Sequence, residues 1–194
     1  MGTDSRSDQP PRRVAAQRLS PTPEFSPTAA GAATERRFGL RIARDGRWWH
    51  EGRPIERLAL VKLFATVLRR EPDGSYWLVT PVERGRIEVE DVPFVAIELV
   101  VEGEAAGQQV RLRSNLDEWV TVGPEHPLRL RRSVAQSGEV ALVPYVELQG
   151  GLEARLARPV YYQLVELGEE RRLQGRTRFG VWSGGRFFTL DEAG

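Results

Sequence analysis

A unit of hairpin, helix and strand occurs twice in this sequence, and this repeat restricts the fold more than any other feature. The first copy reads RIARDGRWWHEGRPI, RLALVKLFATVLRRE and YWLVTP, and the second reads YVELQGGLEARLA, RPVYYQLVELGEE and RFGVWS. In both copies a turn with glycine precedes an apolar helical segment and an aromatic strand. The pattern predicts an α+β fold with two similar halves, each placing a helix on a curved antiparallel sheet. Chance similarity between two short units is the alternative interpretation.

The chain is predicted to divide into a tail and two domains. Residues 1–37 hold five prolines and few large apolar side chains. Ordering them would lose conformational entropy without burying apolar surface, so we predict a disordered tail at 1–37. A repeat domain is expected at 38–86. A C-terminal sheet-plus-helix domain containing the second repeat is expected at 87–192.

Three local elements can be predicted within these domains. Apolar residues cover more than half the circumference of a helix over Arg57–Arg70, which predicts that this helix is covered on two sides. The second helix begins with Pro159 in its first turn, where a missing N–H group costs no hydrogen bond. Alternation of apolar and charged residues between the helices predicts a hairpin in which Glu98 faces Arg113.

The composition excludes several classes of site. The chain has no cysteine, which excludes disulfides and thiolate metal sites. Its two histidines are isolated, and no nucleotide-loop, metalloprotease or hydrolase motif occurs. The net charge of +1 favours neither nucleic acid nor membranes in general, and no segment reads as a signal peptide or a membrane span. We expect a cytoplasmic protein without metal or cofactor.

Two basic residues are the predicted anchors for an anionic ligand. Lys62 is the only lysine among 28 basic residues, and a compact ammonium group can reach a phosphate or carboxylate where a guanidinium would not fit. Arg158 lies at the predicted start of the second helix, where free backbone amides also attract anions. The alternative for Lys62 is a solvated side chain without a function.

Five further residues complete the predicted binding site. Asp91, at a bend before a proline, and Asn115, in a polar turn, are expected to hydrogen-bond the ligand. Tyr161, Tyr162 and Trp182 are expected to stack on it, because aromatic faces bind planar groups. The alternative is that these aromatic side chains belong to the core.

A cluster of carboxylates offers a different chemistry. Glu88 and Glu90 share one face of a predicted strand, and Asp91 follows them. Such a group could perform acid–base catalysis or bind a hard cation. The alternative, which we favour, is a solvated strand face whose charges protect the edge of a sheet.

Four long stretches resemble one protein family. They are LVKLFATVLRR (60–70), YWLVTPVERGRIEVEDVPF (76–94), GLEARLARPVYYQLVEL (151–167) and FGVWSGGRFF (179–188). Together they are similar to the bacterial family catalogued as domain of unknown function 1285. The resemblance implies a duplicated core, a C-terminal half similar to pleckstrin-homology folds, a nucleotide-type ligand between the halves and a role in signal transduction. It supplies no catalytic residues.

We therefore favour a non-enzymatic protein that binds a small anionic or nucleotide-like ligand at the interface of its two halves. A protein–protein interaction module is the first alternative, and a carboxylate-dependent hydrolase using Glu88, Glu90 or Asp91 is the second.

Overall fold

A computed structural model describes residues 34–134, 138 and 140–191, and all of them belong to one compact unit. We use "N-terminal half" for residues 34–92 and "C-terminal half" for residues 93–191. Residues 1–33 of the predicted tail lie outside the described residues, whereas residues 34–37 are part of the first strand.

The N-terminal half forms one six-stranded sheet, in the order β3-β2-β1-β6-β5-β4. Helix α1 (Leu58–Thr66) connects β3 to β4. The strands are β1 (Thr34–Ile42), β2 (Trp48–His50), β3 (Arg53–Pro54), β4 (Leu68–Arg70), β5 (Tyr76–Val79) and β6 (Glu83–Val89).

The C-terminal half forms a second six-stranded sheet, in the order β10-β11-β12-β7-β8-β9, followed by helix α2 (Arg158–Glu166) and a three-stranded sheet. The second sheet contains β7 (Phe94–Glu102), β8 (Gln109–Ser114), β9 (Trp119–Thr121), β10 (Leu128–Val134), β11 (Val140–Glu147) and β12 (Glu153–Leu156). The third sheet contains β13 (Glu169–Leu173), β14 (Arg176–Ser183) and β15 (Arg186–Thr189).

The two six-stranded sheets have the same topology. Numbered from its own first strand, each has the order 3-2-1-6-5-4. Each consists of two antiparallel three-stranded meanders joined by a parallel pair, β1 with β6 and β7 with β12. The structure is thus mostly β, with two similar halves as predicted. The prediction of purely antiparallel sheets was wrong, because the second meander of each unit starts in the same direction as the first.

The second sheet curves back on itself. A flat sheet of six strands is about 24 Å wide, yet only residues 122–127 connect its two edge strands, β9 and β10. This connection contains a turn in which the Gly123 N–H group donates to the His126 carbonyl at 3.1 Å. The edges must therefore lie close together, as the predicted curvature requires.

The two helices differ in how deeply they are buried. Helix α2 packs on β7 and buries Val160 and Leu164. Helix α1 buries Val61 alone, and its Leu58 and Leu63 are 44% and 60% exposed. The predicted helix over residues 57–70 was too long, because residues 68–70 form strand β4 instead. The prediction that α1 is covered on two sides is therefore wrong for the outer face of this helix.

Other local predictions can be compared with the coordinates. The predicted hairpin between β7 and β8 is confirmed: Glu98 lies opposite Arg113, whose Nε donates to its carboxylate at 2.6 Å. Strand β6 continues through the boundary predicted between residues 86 and 87, so the first sheet extends to Val89. No helix among the described residues is long and apolar enough to cross a membrane.

Candidate functional site

A buried carboxylate, that of Glu153, joins the two halves. Glu153 begins β12 and is only 3% exposed. Its Oε2 accepts a hydrogen bond from Arg70 Nη1 of the N-terminal half at 3.0 Å. Its Oε1 accepts one from Arg131 Nη2 of the C-terminal half. Arg70 Nη1 also donates to the carbonyl of Gly151 at 3.2 Å. One carboxylate thus binds a guanidinium from each half, and the group of three side chains keeps one positive charge.

Each of these arginines lies over a tyrosine of its own half. The Arg70 guanidinium carbon is 5.8 Å from the ring centre of Tyr76, and that of Arg131 is 4.6 Å from the ring centre of Tyr145. Both pairs occupy the fourth and fifth strands of their sheets, so the junction repeats the internal symmetry of the fold. Burial raises the pKa of Tyr76. Burial, with the nearby charge of Asp91, raises the pKa of Tyr145 to about 12.

Asp91 makes a second tie between the halves. Its two carboxylate oxygens lie 3.0 and 3.1 Å from the Tyr145 hydroxyl, which donates to them. The Nε atoms of Arg155 and Arg44 lie 3.6 and 4.0 Å from Oδ2. Arg155 Nη2 donates to the backbone carbonyl of Arg44 at 2.6 Å. The Asp91 carboxylate therefore faces a hydroxyl and a guanidinium of the C-terminal half and a guanidinium of the N-terminal half.

A cavity of about 700 Å³ opens beside this junction. Four arginines and two carboxylates line it, so its wall carries an excess of positive charge. The lining residues all belong to the N-terminal half and are Arg37, Gly39, Leu40, Arg41, Arg70, Gly74, Ser75, Tyr76, Arg86, Ile87, Glu88, Val89 and Asp91.

Two of the four arginines form no ion pair within the described part of the chain, although the charge of one of them, Arg86, helps to lower the pKa of the Asp73 carboxyl. Arg41 pairs with Glu90, and Arg70 pairs with Glu153. Arg37 and Arg86 lie directly opposite each other on the parallel strands β1 and β6 and form no ion pair with a described residue. Like charges at opposed positions of a sheet destabilise it. An anion bound between these guanidinium groups would remove their repulsion.

Other polar groups on the wall are also free to bind. The hydroxyl of Tyr76 makes no hydrogen bond to a described residue, and the Glu88 carboxylate makes no ion pair with one. The hydroxyl of Ser75, in contrast, accepts from Trp77 Nε1 at 2.8 Å and donates to Asp73 Oδ1 at 2.6 Å. A ligand can therefore meet two guanidinium groups and a carboxylate that form no ion pair with a described residue, and a phenol hydroxyl that makes no hydrogen bond to one.

Of the seven predicted binding residues, Asp91 lines this cavity and the other six lie elsewhere. Lys62 Nζ donates to Asp117 Oδ2 at 2.8 Å, and this bond lowers the pKa of Asp117. Arg158 is the exposed first residue of α2. The assignment of Lys62 and Arg158 as anion anchors stays a prediction.

Asn115 connects two backbone segments. Its Oδ1 accepts from the N–H group of Val95 at 3.0 Å, and its Nδ2 donates to the carbonyl of Gly46 at 3.2 Å. The turn residue Gly46 has φ +80°, and a side chain there would meet Asn115. In this position Asn115 holds the first hairpin against β7.

The three predicted aromatic residues make two separate sets of contacts. The rings of Tyr161 and Tyr162 stack at 6.4 Å on α2, where Tyr162 is 59% exposed. Trp182 Nε1 donates to Glu169 Oε1 at 2.9 Å, and the Arg171 guanidinium lies 4.5 Å over its ring. The expectation that these three residues stack on one ligand stays a prediction.

The carboxylates of the predicted cluster have different surroundings. Glu90 accepts hydrogen bonds from Arg41 and from the backbone N–H group of Arg44, whereas Glu88 is exposed on the cavity wall. Within the described ranges, no three or more His, Cys, Asp or Glu side chains are placed to hold a metal ion.

Sequence reasoning did not select most residues of the junction. Arginine supplies 27 of the 28 basic residues, so no single arginine is marked by its type. Arg37 fell inside the predicted tail, and no pattern in the sequence singled out Glu153. The one usable signal was the position of Arg70 and Glu153 inside the stretches that resemble the family.

Comparisons with known proteins agree with the architecture. Residues 22–92 match the family model described as domain of unknown function (DUF1285), N-terminal domain, and residues 93–190 match the model of the C-terminal domain of the same proteins. A comparison with curated proteins finds no match.

Two crystal structures are similar to this chain. One is a DUF1285 family protein from Silicibacter pomeroyi DSS-3, with 39% identity, a TM-score of 0.73 and 82% of each chain covered. The other is a DUF1285 family protein from Shewanella baltica OS155, with 24% identity and a TM-score of 0.50 over 66% of this chain and 91% of that one, a likeness of fold alone. On the family models and the first of these structures, the chain belongs to the DUF1285 family.

Proposed function

We propose that this protein is a non-enzymatic binder of a small anionic ligand of the phosphate or nucleotide type, held in the cavity beside the junction of its two halves. The observation that carries the proposal is the pair Arg37 and Arg86, opposed on neighbouring strands of the cavity wall without an ion pair to a described residue. Arginine binds phosphate oxygens through two parallel N–H donors.

The size and the polarity of the cavity support this ligand class. A volume of about 700 Å³ is in the range of small-molecule sites. The free hydroxyl of Tyr76 and the carboxylate of Glu88 offer further contacts, which suit the hydroxyl and amino groups of a nucleotide. Asp91 lines the same wall and links it to the C-terminal half through Tyr145.

Calorimetric titration with pyrophosphate tests the proposal. Each charge-assisted hydrogen bond contributes about 1.5–3 kcal/mol, so we expect Arg37→Gln or Arg86→Gln to weaken binding at least about tenfold. Arg53→Gln is the matched control, because Arg53 is exposed and makes no ion pair with a described residue. No binding by the wild-type protein, or equal losses in control and test variants, would refute the proposal.

Two more variants separate this cavity from the site predicted by sequence. If Lys62 and Arg158 hold the anion, Lys62→Gln and Arg158→Gln will weaken pyrophosphate binding while Arg37→Gln and Arg86→Gln will not. A thermal-shift panel of nucleotides then tests whether a base and sugar add affinity to the phosphate. If the ligand is a nucleotide, at least one nucleotide must raise the melting temperature more than pyrophosphate does at the same concentration.

A protein–protein interaction module is the second candidate, and helix α1 favours it. Leu58 and Leu63 are exposed on a helix whose sequence is mostly apolar, and such side chains often form contacts with partners. A stoichiometric partner that binds the wild-type protein and Lys62→Ala, but not Leu63→Asp, would support this function. The hydrolase alternative has less support, because Glu90 and Asp91 are both held in ion pairs with arginines.

The role in signal transduction, the cytoplasmic location and the likeness of the C-terminal half to pleckstrin-homology folds belong to this proposal as expectations from the family. The strongly curved second sheet followed by α2 is compatible with such a likeness.

A further inference from the structure

Arg70 is placed to act on both sides of the junction. Its Nη1 makes both bonds to the C-terminal half, to Glu153 Oε2 at 3.0 Å and to the Gly151 carbonyl at 3.2 Å. Its Nε and Nη2 have no hydrogen-bond partner among the described residues, and its side chain lines the cavity. These two donors are therefore available to a ligand in the cavity.

The orientation of these free donors depends on Glu153. A guanidinium group is planar, and its five N–H donors point in directions that are set relative to one another. Glu153 is buried, and Arg131 holds its other oxygen. The ring of Tyr76 lies beneath the Arg70 guanidinium. Holding Nη1 on Glu153 consequently sets the direction of Nε and Nη2.

We propose that Arg70 couples occupancy of the cavity to the C-terminal half. An oxyanion that accepts from Nε or Nη2 restrains the guanidinium, and this restraint passes through Nη1 to the segment at residues 149–156. Glu153 is then a positioning residue, which acts on the ligand through Arg70 without touching it. The inference rests on the proposed anion-binding function and adds to it a route by which binding is sensed.

The segment at 149–156 is a suitable receiver of this effect. It contains Gly151 and Glu153, the two acceptors of Arg70, and none of its residues lines the cavity. Any change in the structure or exchange of this segment on ligand binding must therefore be transmitted from the cavity. Because coupling between two sites is reciprocal, breaking the contact between Arg70 and Glu153 will also weaken binding of the ligand.

Hydrogen exchange read by mass spectrometry on the full chain, with and without saturating pyrophosphate, tests the coupling. In the wild-type protein we expect exchange over 149–156 to slow about fivefold on binding. In Arg70→Met this slowing disappears, while slowing over 83–89 remains because Arg86 still binds. Arg69→Met is the matched control, since the adjacent Arg69 bonds, among the described residues, only to nearby backbone carbonyls, and it keeps the wild-type response.

Glu153→Gln provides a second test that leaves Arg70 in place. It should lose the slowing at 149–156 and bind pyrophosphate about tenfold more weakly, a coupling within the usual range. Pyrophosphate binding with slowing confined to the N-terminal half of the wild-type protein would overturn the coupling and leave the proposed function standing. The same holds if Arg70→Met retains the response at 149–156. Failure of the wild-type protein to bind pyrophosphate would overturn both.

Discussion

Replacing Glu153 with glutamine removes the negative charge that the two halves share. The buried carboxylate accepts charge-assisted hydrogen bonds from Arg70 and Arg131, and such bonds contribute about 1.5–3 kcal/mol each. The side chains of these arginines are 32% and 42% exposed, so water compensates part of the loss. Taking the lower figure for both bonds, we expect Glu153→Gln to lower the free energy of unfolding by about 3 kcal/mol.

Urea denaturation followed by tryptophan fluorescence measures this change. For a chain of this size, about 3 kcal/mol corresponds to a fall in melting temperature of roughly 6–12 °C. Glu147→Gln is the control, because Glu147 forms an ion pair with Arg129 at 2.7 Å whose arginine side chain is 60% exposed. Such a surface pair contributes less than about 1 kcal/mol. Equal effects of the two substitutions would refute the view that Glu153 ties the halves together.

Three further predictions concern single residues. The pKa of Tyr145 is raised to about 12 in the folded protein, against 10.0 for an ordinary tyrosine. The stabilisation that this raised pKa contributes is complete below pH 10 and is lost as the pH rises through 12. The free energy of unfolding should therefore fall less over that interval in Tyr145→Phe than in the wild-type protein. In Gly180→Ala the new Cβ would lie 2.4 Å from a backbone carbonyl oxygen of the neighbouring strand, so we expect urea denaturation to show a loss of about 1–3 kcal/mol in the free energy of unfolding. Gly107 has open space around it, so Gly107→Ala should lose less than about 1 kcal/mol. Asn115→Ala removes the hydrogen bonds of this side chain to β7 and to Gly46 and should lower the free energy of unfolding by about 1–3 kcal/mol. An unchanged denaturation midpoint would mean that these two hydrogen bonds contribute nothing to stability.

The repeat, the hairpins and the existence of both helices could be predicted from the sequence, because they depend on local patterns of apolar residues and glycine turns. The pairing of Glu98 with Arg113 also followed from alternation alone. The parallel pairing of β1 with β6 could not be predicted, since it joins strands about 50 residues apart and leaves no periodic trace. Residues 68–70 read as helix because they continue the apolar pattern of the helix before them, although their local pairing with β5 makes them a strand.

The candidate site was predicted less well than the fold. Asp91 was selected because a proline follows it closely, and the cavity does include it. Arg70 and Glu153 lie 83 positions apart, and only the docking of one half on the other brings them together. Lys62 attracted attention as a rare residue type, yet its neighbour in space is Asp117. Rarity reflects composition, whereas a binding site depends on contacts between distant segments.

The parallel pair at the centre of each six-stranded sheet has a mechanical consequence. The first and last strands of a unit are hydrogen-bonded neighbours that run in the same direction, so tension on the two ends of that unit pulls them past each other lengthwise. The hydrogen bonds between them then share the load instead of opening one after another. A chain that joins two such units through the short segment 90–93 resists stretching at both centres, although many of its outer strands are short.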